Sequence, residues 1–342
     1  MVIIMKALII GGTGIISTGI MKQLSKMPEW ELYILNRGNR PDVKIPDNVN
    51  IITCEMSDEK KVSELIKDYT FDVVADFISF VPAQLESRYR LFKDRCKQFI
   101  FISSASAYQK PLSDYRVTES TPLSNPYWGY SRDKIACEEY LMERYRDDGF
   151  PITIVRPSHT YDDKYIPLGV HGDKGSWQVV KRMLEGKPVI IHGDGTSLWT
   201  MTHNSDFAKG FIGLMGNIHA IGESVQITSD ESLTWNQVYT AIARVLNVEL
   251  KPYYVPSDFL SKCSGYDFTG SLIGDKANSV VFDNTKLKRL VPEFVATKRF
   301  DQGIREVIEN VLSNPNLQEL DPEFDNWCDR VISAMEDAVK KV

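Results

Sequence analysis

Apolar and polar positions follow two different periods in the first half of the chain. Short, largely apolar runs, typical of buried parallel strands, occur at 7–10, 32–35, 49–53, 72–77, 98–102 and 152–155. Between them lie longer runs in which apolar residues recur every three or four positions, the period of an amphipathic helix. Strands that alternate with helices in this way predict an α/β fold with a doubly wound parallel sheet.

The regular alternation ends near Tyr161. Beyond a polar loop at 162–176, the pattern predicts short strands and helices in mixed order, with Asn204 and Thr234 as helix caps. We therefore predict a doubly wound domain at 1–165 and a smaller mixed α/β lobe at 166–342. A segment at about 200–230 is expected to return to the first domain. The amphipathic segment 325–342 is expected to pack on the core or to contact a second copy, so a homodimer is one of the alternatives.

Composition narrows the class of protein. The formal net charge is −6 and no long basic run occurs, which argues against general nucleic-acid binding. The five cysteines are scattered and form no Cys-x-x-Cys pair, so we expect no metal site and a reducing, cytoplasmic compartment. The apolar stretch 2–10 is too short for a membrane span and leads straight into glycines, so we expect neither a span nor a signal peptide.

A glycine-rich turn joins the first predicted strand to the first predicted helix. Its sequence is Gly11-Gly12-Thr13-Gly14, followed by Ile15 and Ile16. Glycines at this point allow a tight turn and a close approach of the backbone to a pyrophosphate, which the N-terminus of the helix stabilises. The pattern predicts a dinucleotide cofactor bound by Gly11, Thr13, Gly14, Ile15 and Ile16.

The end of the second strand bears on the choice between NAD and NADP. An acidic residue there would bind the ribose hydroxyls of NAD, whereas an arginine accommodates the 2′-phosphate of NADP. This chain has Asn36 and Arg37, so we predict a cofactor site that prefers NADP but also admits NAD. Asp58 follows the third strand, where it would cap a helix or reach the adenine.

Tyr130 and Lys134 begin a long predicted helix and are four residues apart. Residues at this spacing share one face of a helix. A nearby ammonium group favours the phenolate form, so we expect Lys134 to lower the pKa of Tyr130 and to make it an acid or base. A serine-rich run, 103–106, follows the fifth strand, at the strand end where ligands bind in such sheets.

Together these motifs resemble the extended short-chain dehydrogenase/reductases, the NAD(P)-dependent epimerase/dehydratase family. The resemblance rests on the glycine turn, the 103–108 segment, Tyr130 with Lys134, and Arg156-Pro157, and it extends to Gly193-Asp194-Gly195. It implies a Rossmann fold and an enzyme with Ser104, Tyr130 and Lys134 as catalytic residues. In this reading Ser104 holds the substrate oxygen, Lys134 binds the nicotinamide ribose, and Pro157 belongs to the cofactor site.

The substrate implied by the resemblance is a sugar or a sugar-like small molecule. Trp199 stands where many relatives carry an arginine for a substrate diphosphate, so it either stacks on a sugar or fills space. Ser106, His159 and Lys174 are the other substrate-binding candidates, and Lys181 or Arg182 could supply a further cation. Because a buried diphosphate needs neutralising partners, we expect a substrate smaller or less charged than a nucleotide sugar.

Three alternatives stay open at this point. One is a nucleotide-sugar 4-epimerase or dehydratase proper. The others are an RNA-binding relative and a cofactor sensor without catalysis, against which the Ser104, Tyr130 and Lys134 set argues. Epimerase, dehydratase and reductase outcomes differ in substrate orientation and in additional acid or base groups, which the sequence does not determine.

Overall fold

The computed structural model describes residues 4–342. The strands are β1 (Met5–Ile10), β2 (Trp30–Asn36), β3 (Asn50–Thr53), β4 (Val73–Asp76), β5 (Phe99–Ile102), β6 (Arg116–Val117), β7 (Ile152–Pro157), β8 (His159–Tyr161), β9 (Val189–His192), β10 (Leu198–Trp199), β11 (Met201–His203), β12 (Ser224–Ile227), β13 (Leu233–Thr234), β14 (Pro252–Val255) and β15 (Val281–Phe282).

The helices alternate with these strands. They are α1 (Ile15–Leu24), α2 (Glu59–Leu65), α3 (Pro82–Phe92), α4 (Gly129–Asp148), α5 (Trp177–Leu184), α6 (Asn204–Leu214), α7 (Trp235–Leu246), α8 (Ser257–Leu260), α9 (Thr285–Leu290), α10 (Phe300–Ser313) and α11 (Pro322–Val339). Short 3₁₀ turns occur at Ala105–Ala107, Ile218–Ala220 and Pro315–Leu317, and a π-helical segment runs from Thr269 to Lys276. Among residues 4–342, no helix combines the length and apolar character that crossing a membrane requires.

Seven parallel strands form the central sheet, in the order β12-β7-β5-β4-β1-β2-β3. The strand order reverses beside β1, which places the carboxyl ends of β1 and β4 at a topological switch point where ligands bind. Buried residues form one apolar cluster on each face of the sheet. The predicted doubly wound α/β fold is confirmed, and all six predicted strands belong to this sheet.

Segments beyond residue 161 contribute to both parts of the structure. Strand β12 pairs with β7 at the edge of the sheet, and α6 packs against α1. The remaining elements surround a separate apolar cluster that includes Trp235, Trp327 and the buried face of α11. Helix α11 is thereby packed on this chain's own core through Phe324, Val331 and their neighbours.

Two predicted helix caps have different outcomes. Thr234 caps α7, accepting a hydrogen bond from the backbone N–H of Gln237 as predicted. The predicted cap Asn204 is wrong, because His203 is the residue whose side chain accepts from the first turn of α6. The amide of Asn204 instead donates to the carbonyl of Ile15 at 2.9 Å, so it joins α6 to the start of α1.

Candidate active site

The glycine turn after β1 is shaped for close approach of a ligand. Gly11 has φ +84°, and a Cβ at this position would lie 2.3 Å from the Ile78 side chain. Ser17, which stands where a third glycine is common, is buried and donates a hydrogen bond to the Gly11 carbonyl at 2.7 Å. The turn is therefore held against the first turn of α1, whose free N–H groups favour an anion.

A cleft of about 920 Å³ opens over this turn and follows the carboxyl ends of β1, β2, β4 and β5. This volume is in the range of small-molecule and cofactor sites. Ten predicted site residues line it, namely Gly11, Thr13, Gly14, Ile15, Ile16, Asn36, Arg37, Tyr130, Lys134 and Pro157. A Cβ on Gly14 would have only Ser17 and Gly11 atoms near it, so its absence leaves room for a pyrophosphate at the start of α1, and the residues present fit a dinucleotide.

The end of the cleft beside β2 and β3 carries two arginines, Arg37 and Arg40, and two glutamates, Glu55 and Glu59. The Arg37 guanidinium lies 4.0 Å from the Glu55 carboxylate. Arg40 is held by Asp42, with Nε 2.9 Å from the carboxylate. Asp58 is not among the lining residues, because its carboxylate accepts from the Lys61 backbone N–H and caps α2. Its predicted cofactor contact is thus replaced by the capping role.

Lys134 projects from α4 into the inner end of the cleft. Its ammonium donates to the backbone carbonyls of Ser79 at 2.7 Å and Ile102 at 2.8 Å, which join α4 to the loops after β4 and β5. The rings of Phe80 and Phe101 lie 4.6 and 4.7 Å from the same nitrogen. Burial lowers the pKa of Lys134 to about 8.

Tyr130 lies one turn before Lys134, with its ring centre 5.9 Å from the Lys134 nitrogen. Burial raises the pKa of Tyr130, and hydrogen bonding by the Ser104 hydroxyl acts in the opposite direction. The expected lowering of this pKa by Lys134 is therefore not seen. The lysine directs its protons at backbone carbonyls, and removal of the phenol from water dominates. The protein alone keeps Tyr130 in its neutral, proton-donating form.

A buried ionic network lies beneath these residues. Glu138, one turn beyond Lys134 on α4, forms a bidentate pair with Arg156 and accepts a hydrogen bond from Ser103. The Arg156 guanidinium also lies 4.9 Å from the Tyr108 ring. This network fixes β7 and the start of the serine-rich run against α4, so it sets the relative positions of Ser104, Tyr130 and Pro157.

A second, smaller cavity of about 260 Å³ adjoins the cleft. Its lining residues are Ser104, Ala105, Ser106, Trp128, Tyr130, Pro157, Ser158, His159, Trp199, Asp275 and Lys276. Tyr130 and Pro157 line both spaces. The hydroxyls of Ser104 and Ser106 are 2.9 Å apart, and Ser131 donates to Ser106 at 2.8 Å.

The far wall of this cavity is the π-helical segment Thr269–Lys276. The buried Asn125 amide joins it to the serine-rich run by donating to the carbonyls of Ser106 at 2.8 Å and Gly274 at 2.7 Å. A Cβ on Gly270 would lie 2.2 Å from the Trp128 ring, so the segment approaches this ring closely only because Gly270 has no side chain. π-Helical turns are frequent at functional sites.

Lys174 was predicted to bind substrate, and the structure places it elsewhere. Its half-exposed side chain points toward Glu319, 3.9 Å away, and it does not line the cavity. Lys181 pairs with Glu185 on the surface of α5. Arg182 is fully buried and binds Asp325 and Asp329 of α11. None of these three side chains faces the cavity.

Charged groups that no motif indicated lie at the cavity: Asp275 and Lys276 line it, and Lys110 lies nearby. No recognisable motif surrounds Asp275 or Lys276, and both are more than 130 positions from Tyr130 in the chain. The glycines at 270 and 274 were the one available signal, since paired glycines mark a close approach of the backbone.

One group of side chains elsewhere has the composition of a metal site. Ligand atoms of Asp163, His203 and Glu306 lie within 4.8 Å of one another. Lys22 and Lys298 form ion pairs with the two carboxylates. Protein cations therefore already neutralise this group, and the expectation of no metal site stays a prediction.

The family model for the NAD-dependent epimerase/dehydratase family matches residues 7–227, about two thirds of the chain. The chain belongs to this family. The resemblance drawn from its motifs is thus confirmed, and the protein is an enzyme of the short-chain dehydrogenase type.

Individual relatives of this family member are distant. It is 24% identical over 300 residues to 2′-dehydrokanamycin reductase of Streptomyces kanamyceticus, covering 85% of this chain and 80% of that protein. It is 25% identical over 330 residues to UDP-N-acetyl-alpha-D-glucosaminuronate decarboxylase of Bacillus cytotoxicus, and the match covers 89% of this chain and 97% of that protein. Its fold superposes on that of UDP-glucuronic acid 4-epimerase of Bacillus cereus with a TM-score of 0.72 and 18% sequence identity. The superposition covers 90% of this chain and 99% of that chain.

Proposed function

We propose that this protein catalyses reversible hydride transfer between a nicotinamide cofactor and a carbinol or ketone carbon of a sugar or sugar-like small molecule. The observation that carries the proposal is that Tyr130 lines both the large cleft and the small cavity. A proton donor at this boundary touches both the cofactor space and the substrate space, as the reaction requires.

Tyr130, Ser104 and Lys134 have separate roles in the proposed hydride transfer. When bound, the cofactor supplies the hydride. During reduction the neutral Tyr130 donates its phenolic proton to the carbonyl oxygen and becomes a phenolate, and in the reverse oxidation this phenolate accepts the hydroxyl proton, while the Ser104 hydroxyl holds the substrate oxygen. Lys134, fixed by two carbonyls, lies at the inner end of the cofactor cleft beside Tyr130.

The small cavity supports a substrate smaller than a nucleotide sugar. A volume of about 260 Å³ corresponds to about nine water molecules at roughly 30 Å³ each. This space suits one sugar ring, and Trp199 forms part of its apolar wall. The reductase among the relatives is named for a dehydro compound without a nucleotide, which favours a reductase or epimerase acting on a substrate that carries no nucleotide.

We also infer a preference for NADP over NAD. Asn36 provides no carboxylate for the ribose hydroxyls, and Arg37 and Arg40 line the end of the cleft beside β2 and β3. Cations at this position favour the additional phosphate of NADP. Glu55, 4.0 Å from Arg37, opposes this preference without pairing closely.

The test is a screen of aldoses, ketoses, sugar phosphates and uronates for a change in nicotinamide absorbance. Any active compound is then assayed with Ser104→Ala, which removes the hydroxyl proposed to hold the substrate oxygen. We expect turnover to fall by roughly tenfold to a hundredfold while cofactor affinity is retained. Equal turnover by Ser104→Ala and the unmodified protein would contradict the assignment of this site.

A further inference from the structure

Several polar atoms around the small cavity are buried without a partner. They are Oδ1 of Asp275, Nε1 of Trp199 and Nδ1 of His159, none of which has a hydrogen bond within residues 4–342. Buried polar groups are paired in more than nine cases in ten. Three exceptions around one cavity indicate that a polar ligand completes them.

The charges at and beside this cavity are also unbalanced. Asp275 is the only carboxylate among its lining residues, and the ammonium of Lys276 lies 3.6 Å from it. Lys110 is buried nearby, 5.5 Å from the Trp199 ring centre, and its ammonium has no hydrogen bond or ion pair with any described side chain. The lining pair Lys276 and Asp275 is balanced, and the neighbouring Lys110 adds one positive charge beside the cavity.

Burial disfavours the charged forms of Asp275, Lys110 and His159. Burial raises the pKa of Asp275 and lowers the pKa of Lys110, in each case against the electrostatic effect of the opposite charge. Burial also lowers the pKa of His159 well below its usual value, so this imidazole is neutral. An unpaired cation in such a place is costly unless a ligand neutralises it.

We propose that Lys276 binds a single anionic group of the substrate, a carboxylate or a phosphate monoester, beside the reacting carbon. The inference rests on the proposed function only in taking this cavity as the substrate site. Lys276 is suited to this role because its present contacts are weak. Its nitrogen lies 3.5 Å from the Ser271 carbonyl and 5.9 Å from the Trp128 ring centre, and no closer partner holds it.

The additional positive charge also replaces the arginine that many relatives carry at the position of Trp199. One cation matches the single charge of a carboxylate and roughly half of the about −1.5 to −2 that a phosphate monoester carries at pH 7. The diphosphate of a nucleotide sugar spreads its charge over two groups. Asp275, next to Lys276, would repel a second negative group. The substrate class that fits is a sugar acid or a sugar monophosphate, and a neutral sugar would leave the buried charge unpaired.

The experiment is calorimetric titration of NADP-loaded protein with D-glucose, D-glucuronate, D-glucose 6-phosphate and UDP-glucose. We expect D-glucuronate or D-glucose 6-phosphate to bind roughly tenfold to a hundredfold more tightly than D-glucose, as for a hydrogen bond to a charged group. The tighter of these two anions identifies the carboxylate or the phosphate as the group that is bound. Lys276→Met should remove this preference and leave NADP affinity unchanged.

Two further variants serve as controls. Lys276→Arg should keep most of the preference, and Lys174→Met, which removes a lysine turned away from the cavity, should match the unmodified protein. Should Lys276→Met unfold, Lys276→Gln provides a second neutral side chain of similar length.

Four outcomes would overturn the inference. They are D-glucose binding as tightly as both anions, unchanged preference in the neutral Lys276 variants, micromolar binding of UDP-glucose, and no binding of either anion in the millimolar range. Binding is measured without turnover, so failure here leaves the roles of Ser104 and Tyr130 intact. Failure of those roles would likewise leave this result standing.

Discussion

The large cleft and the small cavity meet at Tyr130 but are built in different ways. The cleft follows the carboxyl ends of neighbouring strands, and its shape comes from backbone turns such as the one at Gly11. The cavity is assembled from side chains of distant segments, with Asn125 joining the serine-rich run to the π-helical segment. The shape of the cleft therefore follows from the sheet, whereas the shape of the cavity depends on individual side-chain contacts.

A substitution at Gly11 is the strongest test of whether backbone turns determine the shape of the cleft. Gly11→Val places a branched side chain at φ +84°, where its Cβ would overlap Ile78, and the strain costs on the order of 1–3 kcal/mol. We expect cofactor affinity to fall by more than a hundredfold, measured by fluorescence titration with NADPH. A fold change below roughly threefold would show that the turn does not determine the cleft.

Gly270→Ala is the matched change in the cavity. The added methyl would lie 2.2 Å from the Trp128 ring and must displace it. Because Trp128 lines only the cavity, we expect KM for the substrate to rise by roughly tenfold while NADPH affinity stays within twofold. Equal losses of both affinities would show that the two spaces are not built independently.

Lys134 offers a test in the pH dependence of stability. Its pKa of about 8 in the folded protein lies below the 10.5 of an exposed lysine. The unfolded chain therefore binds more protons between these values, so the free energy of unfolding rises with pH across this window. Relative to Lys134→Met, the cofactor-free protein should gain up to about 3 kcal/mol between pH 8 and 10.5, measured by urea denaturation. A pH-independent difference would mean that Lys134 titrates normally.

Arg37→Ala should have the smallest effect, because the Arg37 side chain is exposed and Arg40 lines the same part of the cleft. We expect the preference for NADP over NAD to fall by roughly fivefold. Arg116→Ala, an exposed arginine outside the cleft, is the control. Equal affinity for both cofactors in the unmodified protein would remove the role assigned to Arg37.

The same contrast explains what the sequence could predict. Gly11, Thr13 and Gly14 are adjacent to a strand and a helix that periodicity identifies, so the cofactor turn was predictable from local pattern. Tyr130 and Lys134 needed only helical spacing. Asp275 and Lys276 reach the cavity because Gly270 and Asn125 bring remote segments together, and such long-range packing has no local signature. Lys174 lies away from the cavity for a similar reason, since its position within the polar loop 162–176 does not determine where its side chain points.

Burial explains why the pKa of Tyr130 and the contacts of Lys134 could not be predicted from the sequence. Helical spacing correctly places Lys134 beside Tyr130, but it does not reveal that two carbonyls hold the ammonium or that burial dominates the Tyr130 pKa. These properties depend on the loops after β4 and β5 and on the depth of the site. They become visible only when the surrounding chain is folded.

The central claim is that Tyr130 transfers the proton where the two spaces meet. Tyr130→Phe removes one hydroxyl and keeps the ring that packs against Trp128, 5.1 Å away between ring centres. We predict that kcat falls by ~10²–10⁴, as for loss of an acid/base group, with NADPH affinity and thermal stability unchanged. Turnover within a few fold of the unmodified protein would contradict the account, because another group would then have to move the proton.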